Sequence, residues 1–179
     1  EKIDGYLIPK NNEFFGEHVP DYNDRLNYIS NFSGSYGFSL ILRKKNYLFV
    51  DGRYTLQAKQ QSRDFFKIIT FPKQMPFDIL KNKKYLIGFD PKLFTQKTFQ
   101  IFFRKTNCKF KPLNKNLVDE IWKRKIQKNK KKFYILPGNS VSKSYKSKIN
   151  KVVSYIKNKG ADFHFITASE NNAWLLNIR

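Results

Sequence analysis

Hydrophobic and polar positions along the chain fall into segments of two different periods. Residues 4–9 form a short apolar run closed by Pro9, which predicts a first strand. After a polar, aromatic loop over residues 11–20, Tyr22, Leu26 and Ile29 fall on one helical face. Asp21 stands where an N-cap would be, with Asp24 three residues on, and the helix is expected to end near Ser30 and Asn31. Two apolar runs, 38–42 and 47–50, flank the polar Arg43-Lys44-Lys45-Asn46 and predict an antiparallel hairpin. At Asp51-Gly52-Arg53-Tyr54 the period of two gives way to helix-compatible Leu56, Ala58 and Gln residues. Asp51 is a natural cap there, a role worth about 1 kcal/mol.

The pattern then alternates. Residues 65–70 read as a strand, 75–80 as a short helix, 85–89 as a strand, 95–105 as a helix and 109–113 as a strand. Strands separated by helices favour right-handed parallel crossovers. A mixed sheet that begins with three antiparallel strands and continues with βα units is a ribonuclease H-like arrangement, in the α/β class. That fold hosts many functions and selects none. Residues 116–123 predict a further helix with Leu117 facing Ile121 and Val118 facing Trp122.

The composition breaks at 123–132, KRKIQKNKKK, a cationic run read as a solvated linker. This divides the chain into a first domain at 1–124, a basic linker at 125–132 and a second unit at 133–179. In the second unit, 133–136 is apolar and Pro137-Gly138-Asn139 is a turn. Residues 142–159 carry Ile149, Val152, Val153 and Ile156 on one helical face, and Gly160 follows as a C-cap. A strand at 163–167 and a helix at 170–177 complete the unit, which has too few elements to close a core of its own.

With 179 residues, 40% of them hydrophobic and 17% aromatic, the chain can bury one good core or two small ones. No apolar run approaches the roughly 18 residues that a membrane span needs. The first residues, EKIDGY, lack the basic and apolar regions of a signal peptide, and the absence of an initiator Met leaves room for residues in front. A single cysteine, Cys108, fits a reducing, cytoplasmic setting. The net charge of +21 would by itself point to nucleic acid. However, seven of the 35 basic residues are Arg and 28 are Lys, spread along the chain with abundant Asn, Phe, Tyr and Ile and only four Ala. That joint bias matches an AT-rich coding sequence, and Lys is a poor planar reader of phosphate or base edges. A solvated lysine-rich surface is therefore preferred to a nucleic-acid site.

Candidate chemistry is sparse. His18 and His164 are far apart and have no metal-ligating partner in sequence. Gly34-Ser35-Tyr36-Gly37 precedes a strand and imposes a backbone that takes positive φ or approaches something closely. It is neither a nucleophile elbow, because the serine is misplaced, nor a phosphate loop, because no GK[ST] ending follows. Asp51 and Asp90 both end strands, as in a two-metal nuclease, but each precedes a turn residue where Asp is expected to cap backbone. Arg53, at a strand-to-helix corner, either bridges to a neighbouring surface or pairs with Asp51 or Glu17.

Taken together, several motifs resemble the N-terminal, non-catalytic region of Xaa-Pro aminopeptidases (aminopeptidase P) of the creatinase and prolidase group. They are residues 4–9, Gly16-Glu17, Arg25, Phe32-x-Gly34-Ser35-x-Gly37 and Asp51-Gly52-Arg53-Tyr54 with Gln57-Ala58. Further along come Ile87-Gly88-x-Asp90-Pro91, Asn116-Leu117-Val118-Asp119-x-Ile121-Trp122 and Ala173-Trp174-Leu175-Leu176-Asn177-x-Arg179. The resemblance implies a creatinase N-terminal domain followed by the first half of a second, similar α/β domain, with a catalytic domain beyond. It places two divalent metal ions, usually manganese, on Asp, Asp, His, Glu and Glu of that later domain, so this chain holds no catalytic residue and no metal ligand. It further implies a homodimer, short peptide substrates with proline in second position, and an accessory role in dimerisation and in shaping the active-site entrance. On this reading Phe14, His18, Gly34, Ser35, Gly37, Arg53, Tyr54 and Arg179 are candidates for the entrance or an interface. Asp51, Gly52, Trp122 and Trp174 are structural positions of the motifs. The chain departs from the family at Phe14-Phe15 and His18, at Asn31 and at Ser169-Glu170, which bears on hydrogen bonding by the first loop and on substrate preference. The alternative is a basic ribonuclease H-like module that binds nucleic acid.

Overall fold

The computed structural model describes residues 2–16, 18–124 and 132–179. Most of the basic run at 125–132 and the Glu17 partner considered for Arg53 lie outside the described residues. The chain divides into two compact units, one of Glu1–Glu13 with Glu17–Ile126, the other of Phe14–Gly16 with Gln127–Arg179.

The first unit is built on a six-stranded sheet of β1 (Gly5–Pro9), β2 (Gly37–Leu42), β3 (Asn46–Asp51), β4 (Lys67–Phe71), β5 (Leu86–Phe89) and β6 (Lys109–Pro112), in the order β4-β3-β2-β1-β5-β6. β1 to β3 pair antiparallel, whereas β4 joins β3, β5 joins β1 and β6 joins β5 in parallel. The mixed sheet expected from the sequence is present. The strand at 65–70 starts later, because residues Arg63–Phe65 close a short 3₁₀ turn.

Strand alternation sends side chains to two cores. Tyr6, Ile8, Leu48 and Val50 pack with Leu26, Ala58 and Val118, which come from α1 (Arg25–Ser30), α2 (Thr55–Ser62) and α5 (Leu117–Ile121). Leu7, Phe38, Leu40, Phe49, Ile69 and Ile87 face the other way, onto α3 (Pro76–Ile79) and α4 (Gln96–Phe103). Burial on both faces explains why these strands read as nearly continuous apolar runs. On the second face Phe38 is sandwiched between Phe49 and Phe102, at centroid distances of 4.5 and 4.7 Å. Each such ring contributes about 1.5–3 kcal/mol through burial.

The helix starts follow their caps. Asp24, rather than Asp21, caps α1 by accepting a hydrogen bond from the Asn27 N–H at 3.1 Å, and residues Asp21–Asn23 form a separate 3₁₀ turn without a side-chain cap. Tyr22 therefore stands outside the helix and is exposed. Asn31 ends α1 in the left-handed conformation, as expected at that boundary.

The second unit contains α6 (Tyr145–Asn158) and α7 (Ser169–Leu176). Ser144 caps α6, and Gly160 follows at φ 67°. Residues 134–136 run antiparallel to 177–179, with Tyr134 and Arg179 exchanging backbone hydrogen bonds and Ile135 bridged to Ile178. The strand expected at 163–167 does not form. Phe163 and Phe165 are each 83% exposed, and no described strand pairs with them. Alternating side chains are not enough without a neighbouring ladder.

Candidate functional site

The motif residues Ser35, Asp51, Arg53 and Tyr54 meet at the corner where β3 ends and α2 begins. Asp51 accepts hydrogen bonds from the backbone N–H and the Nε of Arg53, both at 2.9 Å. These bonds, from the side chain first and the backbone next, hold the Asp51 carboxyl below its usual range. Arg53 is 76% exposed, and its guanidinium lies 5.5 Å from the centroid of the Tyr54 ring. Asp51, one of the two partners considered for Arg53 within its own domain, does engage it, and the guanidinium still faces solvent.

The glycine turn closes on this corner from the other side. The Ser35 and Tyr54 hydroxyls are 2.8 Å apart, and the Tyr54 ring meets Phe32 edge-on at 5.9 Å. Neither Gly34 nor Gly37 takes a left-handed φ. Their requirement is space: a Cβ on Gly34 would stand 2.2 Å from Cζ of Phe32, which is fully buried, and one on Gly37 would stand 2.9 Å from the Phe49 carbonyl oxygen. Within the chain, the close approach these glycines make is to its own core. Beside them, Gln57 and Gln61 both donate to the Ser33 hydroxyl, at 3.0 and 2.8 Å, while Gln61 accepts from the Ser33 N–H at 3.0 Å. The sequence reading assigned no role to this clamp, although an i, i+4 glutamine pair on an exposed helix face was visible. Burial pushes the Tyr36 hydroxyl up, and the nearby Asp51 carboxylate adds to the effect.

This corner offers hydrogen-bond donors, an aromatic face and one cation, but no nucleophile paired with a base. Ser35 shares its hydrogen bond with a phenol; His18 is exposed in the first loop, and His164 belongs to the second unit. Asp90 has a structural role of its own. It is buried, accepts from the Lys92 N–H at 3.0 Å and from the Asn116 amide at 2.9 Å, and so ties β5 to the start of α5. Among the described residues no group of three or more His, Cys, Asp or Glu converges.

Two further networks hold motif residues in place. Arg25, 3% exposed, grips Asp119 through two bonds of 2.8 Å and Glu13 through a third of 2.8 Å. Arg124 shares Asp119 at 2.8 Å and lies over Trp122, which stacks on Tyr28 at 4.6 Å. Burial raises the Asp119 carboxyl, but the hydrogen bonds and charges of Arg25 and Arg124 outweigh it and hold the group below the usual range. In the second unit the buried Lys148 ammonium donates to the Trp174 carbonyl at 2.6 Å and to the Asn177 side chain, and it lies 4.2 Å from the Trp174 ring centroid. Trp174 is 64% exposed. Phe14 is also exposed, and Arg179 takes part through its backbone.

Residues 1–121 match the family model of the creatinase/prolidase N-terminal domain, and residues 123–179 match a second model of the same description. The chain belongs to the creatinase/prolidase N-terminal family. It is 29% identical, over 99% of its length, to aminopeptidase P1 of Arabidopsis thaliana, and 26% identical to the Xaa-Pro aminopeptidase ApepP of Drosophila melanogaster, also over 99%. It spans 28% of the first relative and 30% of the second. The X-prolyl aminopeptidase of Caenorhabditis elegans, described as a cytosolic enzyme with a di-nuclear active site, superposes on the whole chain with a TM-score of 0.82 at 26% identity. The match covers 31% of that protein. The Xaa-Pro dipeptidase of Bacillus anthracis shares the fold over 86% of this chain, at a TM-score of 0.50 and 19% identity, and the match covers 39% of that protein.

Proposed function

We propose that this chain is the non-catalytic N-terminal region of a metal-dependent Xaa-Pro aminopeptidase, which removes the residue before a proline in second position. The observation that carries this reading is the superposition on the Caenorhabditis elegans enzyme, which runs through all of this chain and 31% of that one. The two metal ions, manganese in the family pattern, belong on this reading to a domain outside residues 1–179. The described residues supply no donor set for them: Asp51 is bound by Arg53, and Asp90 by Lys92 and Asn116. No step of the hydrolysis is therefore assigned to this chain.

Its own contribution is architectural. The order β3-β2-β1-β5-β6 supports a ribonuclease H-like relationship, with β4 as an added strand beyond β3. Residues 133–179 are the first half of a second domain of the same type. The match of the second family model supports this, as does the exposure of Phe133, Ile135, Phe163 and Phe165, apolar residues that a further sheet would cover. The corner formed by Gly34, Ser35, Gly37, Arg53 and Tyr54 faces a homodimer partner or the active-site entrance, with Phe14, His18 and Arg179 as further contacts. A rigid backbone, a mutually bonded Ser35–Tyr54 pair and a solvent-facing guanidinium suit that role. A cytoplasmic location agrees with the single cysteine and with the relative described as cytosolic. The test is the coding sequence that follows Arg179. The ordered pattern Asp, Asp, His, Glu, Glu is expected there, and an unrelated or absent continuation overturns the reading.

A further inference from the structure

At the end of β3 opposite Arg53, the chain forms a second concave feature. The β2–β3 turn and the start of β5 line a cleft of about 330 Å³, at the lower end of the range of about 300–1,000 Å³ that small-ligand sites occupy. Tyr47, Tyr85, Leu42 and Ile79 give it an apolar and aromatic lining, and all four pack against the core on the α3–α4 face. That lining is consequently held in place by the fold.

The charges around this lining are one-sided. Arg43, Lys44 and Lys45 come from the β2–β3 turn and Lys83 from the turn after α3, against one acid, Asp4. Asp4 is already committed, since it accepts from the Leu86 N–H at 2.9 Å and stands 3.8 Å from the Arg43 Nε. Arg43 also donates to the Ile3 carbonyl at 3.3 Å. Lys44, Lys45 and Lys83 make no ion pair among the described residues, and the Lys45 ammonium rests 5.9 Å from the centroid of Tyr47. Three ammonium groups on one aromatic cleft repel one another, and an anion placed among them relieves that repulsion.

We propose that this cleft binds a phosphate monoester carrying a flat apolar group, the chemistry of a nucleoside monophosphate. Lysines act as point charges suited to a phosphate dianion. A planar carboxylate would be matched best by an arginine fork, whereas three of the four cations at this cleft are lysines. The two tyrosines offer faces for a flat ring and hydroxyls for its polar edge. This site is independent of the aminopeptidase reading and lies at the far end of the sheet from the corner assigned to it.

The experiment is a titration of the chain, followed by amide NMR shifts and calorimetry, with adenosine 5′-monophosphate, adenosine and inorganic phosphate as probes. The monophosphate is expected to saturate with a Kd on the order of 0.1–1 mM at low salt, shifting amides at 42–47 and 79–86. Adenosine and inorganic phosphate should each bind at least about tenfold more weakly, because each lacks one part of the recognition. The double variant Lys45→Gln/Lys83→Gln changes two exposed side chains and leaves the circular dichroism spectrum unchanged. It should weaken the monophosphate about fivefold or more, whereas the control pair Lys146→Gln/Lys157→Gln on α6 should not. The proposal is overturned if the monophosphate fails to saturate below about 10 mM, if inorganic phosphate binds as well as the monophosphate, or if the control pair costs as much as the cleft pair.

Discussion

Replacing Arg25 with Met removes the guanidinium that joins α1, α5 and the Glu13 loop while keeping an apolar stem of similar length. Three hydrogen bonds of 2.8 Å are lost, two to Asp119 and one to Glu13. Removing one partner of a fully buried ion pair costs about 3–5 kcal/mol. Two features reduce that figure here. Asp119 keeps Arg124 at 2.8 Å, and the Asp119 and Glu13 side chains are 27% and 32% exposed, so water resolvates part of what is lost. In addition, the buried Nη1 of Arg25 has no hydrogen-bond partner among the described residues, and its removal recovers about 1 kcal/mol. The net expectation is a destabilisation of about 2–3 kcal/mol at pH 7. Urea unfolding followed through Trp122 in a Trp174→Phe background reads the first unit alone, because Trp122 is then the one tryptophan left. A cycle with Asp119→Asn should return a coupling of about 1–2 kcal/mol. The folded-state value of Asp119 is depressed below its unfolded value of about 3.9. Its contribution is therefore complete above that unfolded value and is lost as pH falls through the folded one. The gap between the parent and Asp119→Asn should close on acidification. A loss below about 1 kcal/mol with additive variants would refute the assignment of Arg25 as the tie between these elements.

Three other substitutions test separate parts of the structure. Gly34→Ala sets a methyl group against the buried Phe32 ring and should cost about 1–3 kcal/mol in the same unfolding assay; an unchanged midpoint would mean that the ring can move aside. Lys148→Met leaves the Trp174 carbonyl and the Asn177 side chain without their donor. It should destabilise the second unit by about 2–3 kcal/mol, read through Trp174 in a Trp122→Phe background. Arg53→Ala, in the longer protein, should leave the unfolding midpoint unchanged while weakening substrate handling or dimerisation. A fall in stability with unchanged kinetics and oligomer mass would assign Arg53 to its pair with Asp51 alone.

Much of the first unit was legible because its signals are local. The hairpin at β2–β3, the capped corner at Asp51 and the alternation of strands and helices all follow from patterns a few residues long. The errors share a physical origin in partners distant in sequence. Residues 163–167 alternate like a strand, but a strand exists only with a ladder beside it, and none of the described strands supplies one. Asp21 was expected as the cap with Asp24 three residues on, but the 3₁₀ turn at Asp21–Asn23 moves the helix start and gives Asp24 the position. The glycines at 34 and 37 were legible as a constraint, but the object they make room for, the ring of Phe32, needed the fold. Arg25 belonged to a recognisable motif, yet the three hydrogen bonds it donates, to Glu13 and across 94 positions to Asp119, could not be read from spacing.

Peptide cleavage decides whether the chemistry lies in residues 1–179 or beyond them. Residues 1–179 and the longer protein that continues past Arg179 would be assayed side by side on Xaa-Pro peptides with manganese supplied. Turnover is expected from the longer protein and none from residues 1–179; release of the N-terminal residue by residues 1–179 alone would place the reaction in this chain and overturn the proposed function.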